Sequence, residues 1–173
     1  MAVRETIQIG HPLLRKVAEP VADPGAPEVA ALLEDLSDTL ADWRARTGYG
    51  RGIAAPQIGV SKRVVFVRMP GQEPLAMVNP EIIWASDDTF TVWDACLSYF
   101  VLFFQVERHC RIRVKYQDQH SVEHVIDAVD DLAELLQHEL DHLDGRLAID
   151  LVTDPHTFCT VAEYQRRYEQ PTA

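Results

Sequence analysis

The chain has 173 residues, 47% of them apolar and 25% charged, with a formal charge of −11. That length suits one soluble globular domain, expected to span residues 1–173, with a core that needs no disulfides. The acidity argues against nucleic acid or an anionic membrane surface as partner, because both would be repelled. The start, Met1-Ala2-Val3-Arg4-Glu5-Thr6, lacks the apolar core of a secretory signal. No run approaches the roughly 18 apolar residues of a membrane span, so a cytoplasmic protein is expected. The three cysteines, Cys96, Cys110 and Cys159, are odd in number and contain no Cys-x-x-Cys pair. A disulfide framework is therefore not expected, and a thiolate is free to act as a ligand.

Taken in order, residues 5–9 alternate enough for a short strand that His11-Pro12 breaks, followed by an extended, proline-stiffened stretch to Pro24. Pro27 suits the first turn of a helix, and Val29, Leu32, Leu33, Leu36, Leu40 and Trp43 repeat at helical spacing to about Thr47. The glycines at 48, 50 and 52 allow positive φ and close approach to a ligand. Their spacing does not match a phosphate-binding loop, and a plain turn is the bland alternative. Gln57, placed after Pro56, adds a neutral amide that can donate and accept. Strands are predicted at 63–68 and 75–83 around a turn at 69–74, then near 89–93, over the apolar run 99–106, and at 111–116. Asp118-Gln119-His120 reads as a hairpin turn with a return strand at 122–126. That hairpin argues against the zinc-site pattern His-x-x-Glu-His at 120–124, which needs a helix. A short helix at 161–168 is expected to be a packing appendage. Short strands followed by a helix indicate an α+β fold, with short antiparallel sheets around a central helix.

That helix carries His138-Glu139-x-x-His142. Residues four apart share a helix face at roughly 6 Å, so the two imidazoles can reach one metal ion. Glu139 then sits beside them as the general base for a water the metal activates. Asp131 is expected as N-cap with Glu134 completing a capping box, and Leu132, Leu135, Leu136, Leu140 and Leu143 form the buried stripe that Gly145 ends. Two solvated histidines would be the bland alternative, and a third ligand would decide. Cys96, which follows an apolar strand, is the best candidate, since His/Cys sets suit zinc or ferrous iron. A lone cysteine is more often simply buried.

Three stretches make the site specific: Gly50-x-Gly52-Ile-Ala-Ala-Pro-Gln57-Ile-Gly59, Cys96-Leu97-Ser98, and Gln137-His138-Glu139-Leu140-Asp141-His142-Leu143-x-Gly145. In this order they resemble the three motifs of the peptide deformylases, and Leu13–Ala18 and Val78–Glu81 extend the likeness over about residues 5–155. The resemblance implies a metal-dependent hydrolase that removes the N-formyl group from N-formylmethionyl peptides of newly made proteins and releases formate. It implies Cys96, His138 and His142 as ligands of one divalent ion, ferrous iron first and zinc or nickel as substitutes. It also implies Glu139 as proton carrier, and Gln57 with the Leu97 backbone N–H as donors to the developing oxyanion. Gly52, which leaves room for substrate backbone, Ile53 and Phe103 are then the substrate-facing positions. The partner is a small formylated peptide, with no nucleic acid or membrane and with the protein a monomer or homodimer.

The second motif departs from the family pattern. Asp94 and Ala95 stand where glutamate and glycine are usual, a proline turn gives way to the apolar run Tyr99–Phe104, and Phe103 stands where many members carry a substrate-facing arginine. Arg108 fits the later arginine position. These changes leave open a greasier substrate wall or a merely buried strand. The alternatives are deformylation of a specialised N-formyl metabolite and a deformylase-like binding protein without turnover.

Overall fold

The structure, a computed structural model, describes residues 2–169; the expected domain limits at 1 and 173 lie outside them. Its architecture is α+β, as the pattern predicts. Helix α1 spans Pro27–Thr47, opened by its proline and closed by Gly48 at φ 80°. Strands β1 (Gly52–Ala54), β2 (Val64–Val67), β3 (Leu75–Ala85), β6 (Arg111–Gln117) and β7 (Glu123–Val129) form one antiparallel sheet in the order β1-β2-β3-β6-β7. Strands β4 (Thr89–Asp94), β5 (Leu102–His109) and the short β8 (Cys159–Thr160) form a second sheet in the order β4-β5-β8. Between them runs α2, Asp131–Leu143, followed late in the chain by the single-turn α3, Val161–Tyr164. No helix among the described residues is long and apolar enough to cross a membrane.

The core explains why β2 reads as an unbroken apolar run. With side chains alternating across the sheet, Val65 and Val67 pack with Leu135, Leu136, Leu140 and Leu143 of α2. Val64 and Phe66 pack with Leu33, Leu36 and Leu40 of α1. One strand is thus sandwiched between two helices, and α2 is pinned along its leucine stripe. A buried leucine truncated to alanine in such a place costs about 2–5 kcal/mol. Behind the second sheet, Leu14, Phe104, Val106 and Leu147 enclose Cys96.

Two expectations fail. Residues 5–9 form no strand, because their backbone bonds go singly to different turns: Ile7 N–H donates to Gln57 O and Ile9 N–H to Ser98 O, both at 2.8 Å. Ladder pairing needs one continuous partner. The capping box is also absent, since Asp130 at φ 49° is the N-cap and makes no side-chain cap bond. Asp131 is already helical, and Glu134 turns to Arg51. Gly145 does end α2, at φ 70°, where a Cβ would lie 2.8 Å from Arg15 backbone. His120 and His124 sit on the β6–β7 hairpin, where His124 bonds Asp118 at 2.8 Å and stacks on Tyr116.

Candidate active site

The α2 leucines face the sheet, and the opposite side of its middle turns carries the polar groups. Cys96, His138 and His142 are all buried, and one ligand atom from each falls within 4.8 Å of the others. Cys96 Sγ lies 3.2 Å from His142 Nε2. The cysteine is delivered by the end of β4, immediately before a 3₁₀ turn at Leu97–Tyr99.

The donors are braced from behind. Asp94 Oδ1 lies 2.8 Å from His138 Nδ1, which leaves the other ring nitrogen for the cluster. Arg108, 3% exposed, donates to Asp94 at 3.0 Å and to Asp141 at 2.6 Å. Burial works against the charged form of Asp94, but His138 and Arg108 outweigh it and hold the carboxyl down at about 2. For His142, burial followed by the neighbouring His138 charge pushes the pKa down, favouring the neutral imidazole a ligand must be.

Glu139 lies beside the cluster and is 2% exposed. Burial pushes its carboxyl up to about 7, with Asp94 and Glu134 adding to the rise and His138 and Arg51 opposing it. Its Oε2 is buried without a hydrogen-bond partner among the described residues. A buried carboxylate oxygen with no donor is costly unless a ligand completes it. One cysteine sulfur and two imidazoles form a donor set that fits a divalent transition metal with an open position, and the unpartnered carboxylate oxygen of Glu139 lies beside it.

The other expected residues divide. Gln57 is buried, its Oε1 accepting from Ala54 N–H at 2.8 Å and its Nε2 lying 3.3 Å from Cys96 Sγ and 3.4 Å from Ser98 Oγ. Leu97, Gly52 and Phe103 line the cavity beside Cys96 and Glu139. Gly52 makes room for the Glu139 side chain: a Cβ there would collide with Glu139 Oε1 and stand 2.8 Å from its Cδ. Ile53 does not face the cavity; fully buried, it packs in the α1 cluster. The run Tyr99–Phe104 splits between both readings. Phe100 and Phe103 line the cavity, Tyr99 and Phe104 are core, and Val101 is 66% exposed.

Sequence reasoning missed Arg51, Glu134, Trp43, Tyr49 and Trp93 on the cavity wall. Glu134 was detectable in principle, since it lies one helical turn before His138. The aromatic side chains come from segments far apart and carried no such signal. The segment at 161–168 does pack, as expected, against a residue of the cavity wall: Tyr164 stacks on Phe103 at 4.0 Å between ring centroids.

The family model for polypeptide deformylase matches residues 3–157. Peptide deformylase 2 of Clostridium perfringens is 41% identical over 151 residues, 87% of this chain and 93% of that one. The crystal structure of peptide deformylase from Thermotoga maritima superposes with a TM-score of 0.82 at 32% identity, covering 89% of this chain and 100% of that one. A Met-Ala-Ser-bound class I type b peptide deformylase from Acinetobacter baumannii gives 0.81 at 30% identity, covering 87% and 99%. On this evidence the chain belongs to the polypeptide deformylase family, metal-dependent hydrolases that remove the N-formyl group from N-formylmethionyl peptides of newly made proteins.

Proposed function

We propose that Cys96, His138 and His142 hold one divalent ion per chain, ferrous iron with zinc or nickel as substitutes, and that Glu139 carries the proton of the reaction. The donor set supports this, because a thiolate with two imidazoles suits Fe²⁺, Zn²⁺ or Ni²⁺ better than the oxygen-seeking Mg²⁺ or Ca²⁺. When bound, such an ion polarises the formyl oxygen and acidifies a water.

The chain's own groups do the rest. Glu139 takes a proton from the attacking water at its free Oε2 and passes it to the departing amine, a shuttle suited to a carboxyl poised near neutrality. Gln57 Nε2 and the Leu97 N–H donate to the oxyanion. Oε1 of Gln57 is held by Ala54, which directs the amide N–H groups toward the Cys96 side. Asp94 and Arg108 keep His138 in place, and Gly52 and Phe103 flank the substrate. The substrate is a small formylated peptide, the working unit is the whole chain as monomer or homodimer, and the place of action is the cytoplasm.

The observation that carries the proposal is the partnerless Glu139 oxygen beside three convergent donors. The test is formate release from formyl-Met-Ala-Ser by protein loaded with ferrous iron under anoxia. Glu139→Ala is expected to lose about 10²–10⁴-fold in kcat while keeping one equivalent of metal. Retained turnover in that variant overturns the role of Glu139, and retained stoichiometric metal in Cys96→Ala overturns the ligand set.

A further inference from the structure

The Tyr99 hydroxyl is a buried polar group that neither the donor cluster nor the base uses. Leu97–Tyr99 form a single 3₁₀ turn with Cys96 as its N-cap. Three residues per turn bring side chains three apart onto one face, so the Tyr99 phenol returns to the side of Cys96. Both are buried, in one cluster with Leu14, Phe104 and Leu147. The phenol ring lies against Phe104, with centroids 6.1 Å apart and planes within 22°. Its hydroxyl has no hydrogen-bond partner among the described residues. A buried hydroxyl left so is costly, and its O–H is open to an acceptor.

Two charged acceptors act on it. Burial raises the Tyr99 pKa, and the charges of Cys96 and then Asp94 raise it further. Asp94 is committed, with Oδ1 meeting His138 Nδ1 at 2.8 Å and Oδ2 accepting from Arg108 at 3.0 Å. The Cys96 sulfur is not. Its neighbours are His142 Nε2 at 3.2 Å, a nitrogen that serves the ion in a loaded site, and Gln57 Nε2 at 3.3 Å.

We propose that Tyr99 is a positioning residue: its O–H donates to the Cys96 thiolate in the metal-loaded site and so frees the Gln57 amide for the oxyanion. The inference rests on the reading of Cys96 as ligand and Gln57 as oxyanion donor.

The argument is a count of donors. The Gln57 amide has two N–H groups, and its nitrogen stands 3.3 Å from Cys96 Sγ and 3.4 Å from Ser98 Oγ. With both turned to those neighbours, none remains for an oxyanion. A thiolate accepts more strongly than a neutral group, so it holds one N–H of Gln57 unless another donor serves it. Tyr99 is that donor. A tyrosine hydroxyl keeps its proton through the neutral range, and this one is fixed by a short turn and a stacked ring. Such outer contacts orient a ligand atom and tune its basicity.

The test loads the protein with cobalt(II), because thiolate bound to cobalt absorbs light by charge transfer from sulfur to metal. A hydrogen bond lowers the energy of the sulfur electrons, and its loss moves the band to longer wavelength. Tyr99→Phe, which deletes one oxygen, is expected to keep one equivalent of cobalt and to shift the band that way. Its kcat on formyl-Met-Ala-Ser is expected to fall about tenfold. A band at unchanged wavelength overturns the proposal, as does a shifted band with unchanged kcat. No charge-transfer band in the unsubstituted protein removes Cys96 from the ligand set, and the proposal falls with it, so the two failures are told apart. Where Tyr99→Phe fails to fold, the unsubstituted protein loaded with spin-active cadmium decides by nuclear magnetic resonance. A Tyr99 hydroxyl proton coupled to cadmium through the sulfur supports the bond, and absence of that coupling overturns it.

Discussion

The two sides of the cavity are held by different physics. On the chemical side, Cys96, His138, His142 and Glu139 come from one helix and one strand end, and a buried chain of charges runs behind them from Asp94 through Arg108 to Asp141. On the aromatic side, Arg51, Tyr49, Phe100 and Phe103 come from separate loops and strands and rest on a half-exposed ion pair and on ring contacts. The first side cannot shift without stranding charge in the interior. The second can change one side chain at a time. The fold therefore joins a rigid, charge-braced wall to an adaptable one, and substitutions on the two sides should differ in kind as well as size.

The largest effect is expected from breaking the charge network. Arg108→Leu would leave Asp94 buried with His138 alone and remove the main partner of Asp141. Removing one member of a buried ion pair costs about 3–5 kcal/mol, a loss of roughly 6–20 °C in Tm for a domain of this size. Urea denaturation of the metal-free protein measures it without interference from metal loss. A change under ~1 kcal/mol would mean that the network does not hold the chemical side in place.

The contrast between the sides also decides what could be read from the sequence. The grouping of His138, His142 and Glu139 was legible because helical periodicity puts the two histidines on one face, and the leucine stripe fixes where the opposite face points. Cys96 became legible only through the ordered motifs, since nothing local ties it to α2. The link between Asp94 and His138 joins a strand end to a helix and has no local signature. Glu134 was misread because Asp131 and Glu134 satisfy a capping pattern. The turn out of β7 at Asp130 starts the helix one residue earlier than that pattern requires, and the nearby Arg51 draws the carboxylate into the cavity. The expected strand at 5–9 failed for a similar reason: alternation specifies a face, but only a partner edge makes a ladder.

A smaller effect sharpens the comparison at the seam between the two sides. Gly52 belongs to β1, yet the space over its Cα is filled by the Glu139 carboxylate. Gly52→Ala would push against the end of a flexible side chain and not against backbone, so the fold should survive while the base moves. A displacement near 1 Å at a reacting group costs about 10²-fold, or ~2.7 kcal/mol in activation free energy. The expected signature is a fall in kcat with unchanged metal content and unchanged urea midpoint. A fall in the urea midpoint of comparable size would instead make Gly52 a packing residue.

The smallest effect tests how loosely the aromatic side is attached. Tyr164 lies nearly parallel to Phe103, with the ring planes 6° apart, and meets Trp93 edge-on at 5.4 Å. The neighbouring turn is tied down by Tyr49, which bonds Glu169 at 2.5 Å and accepts from Gln165 at 3.2 Å. These contacts tether a segment that adds only a short pairing of Leu102 with Thr160 and Phe103 with Cys159 to the second sheet. Each aromatic pair contributes about 0.5–1.5 kcal/mol beyond its buried area, and Tyr164 is only partly buried. Tyr164→Ala should therefore free residues 159–169 locally, raising amide hydrogen exchange there severalfold, while the global urea midpoint shifts by no more than ~1 kcal/mol. Uniformly faster exchange across α2 as well would mean that this segment and the helix carrying His138 and His142 share one cooperative unit, and the contrast between the two sides would not hold.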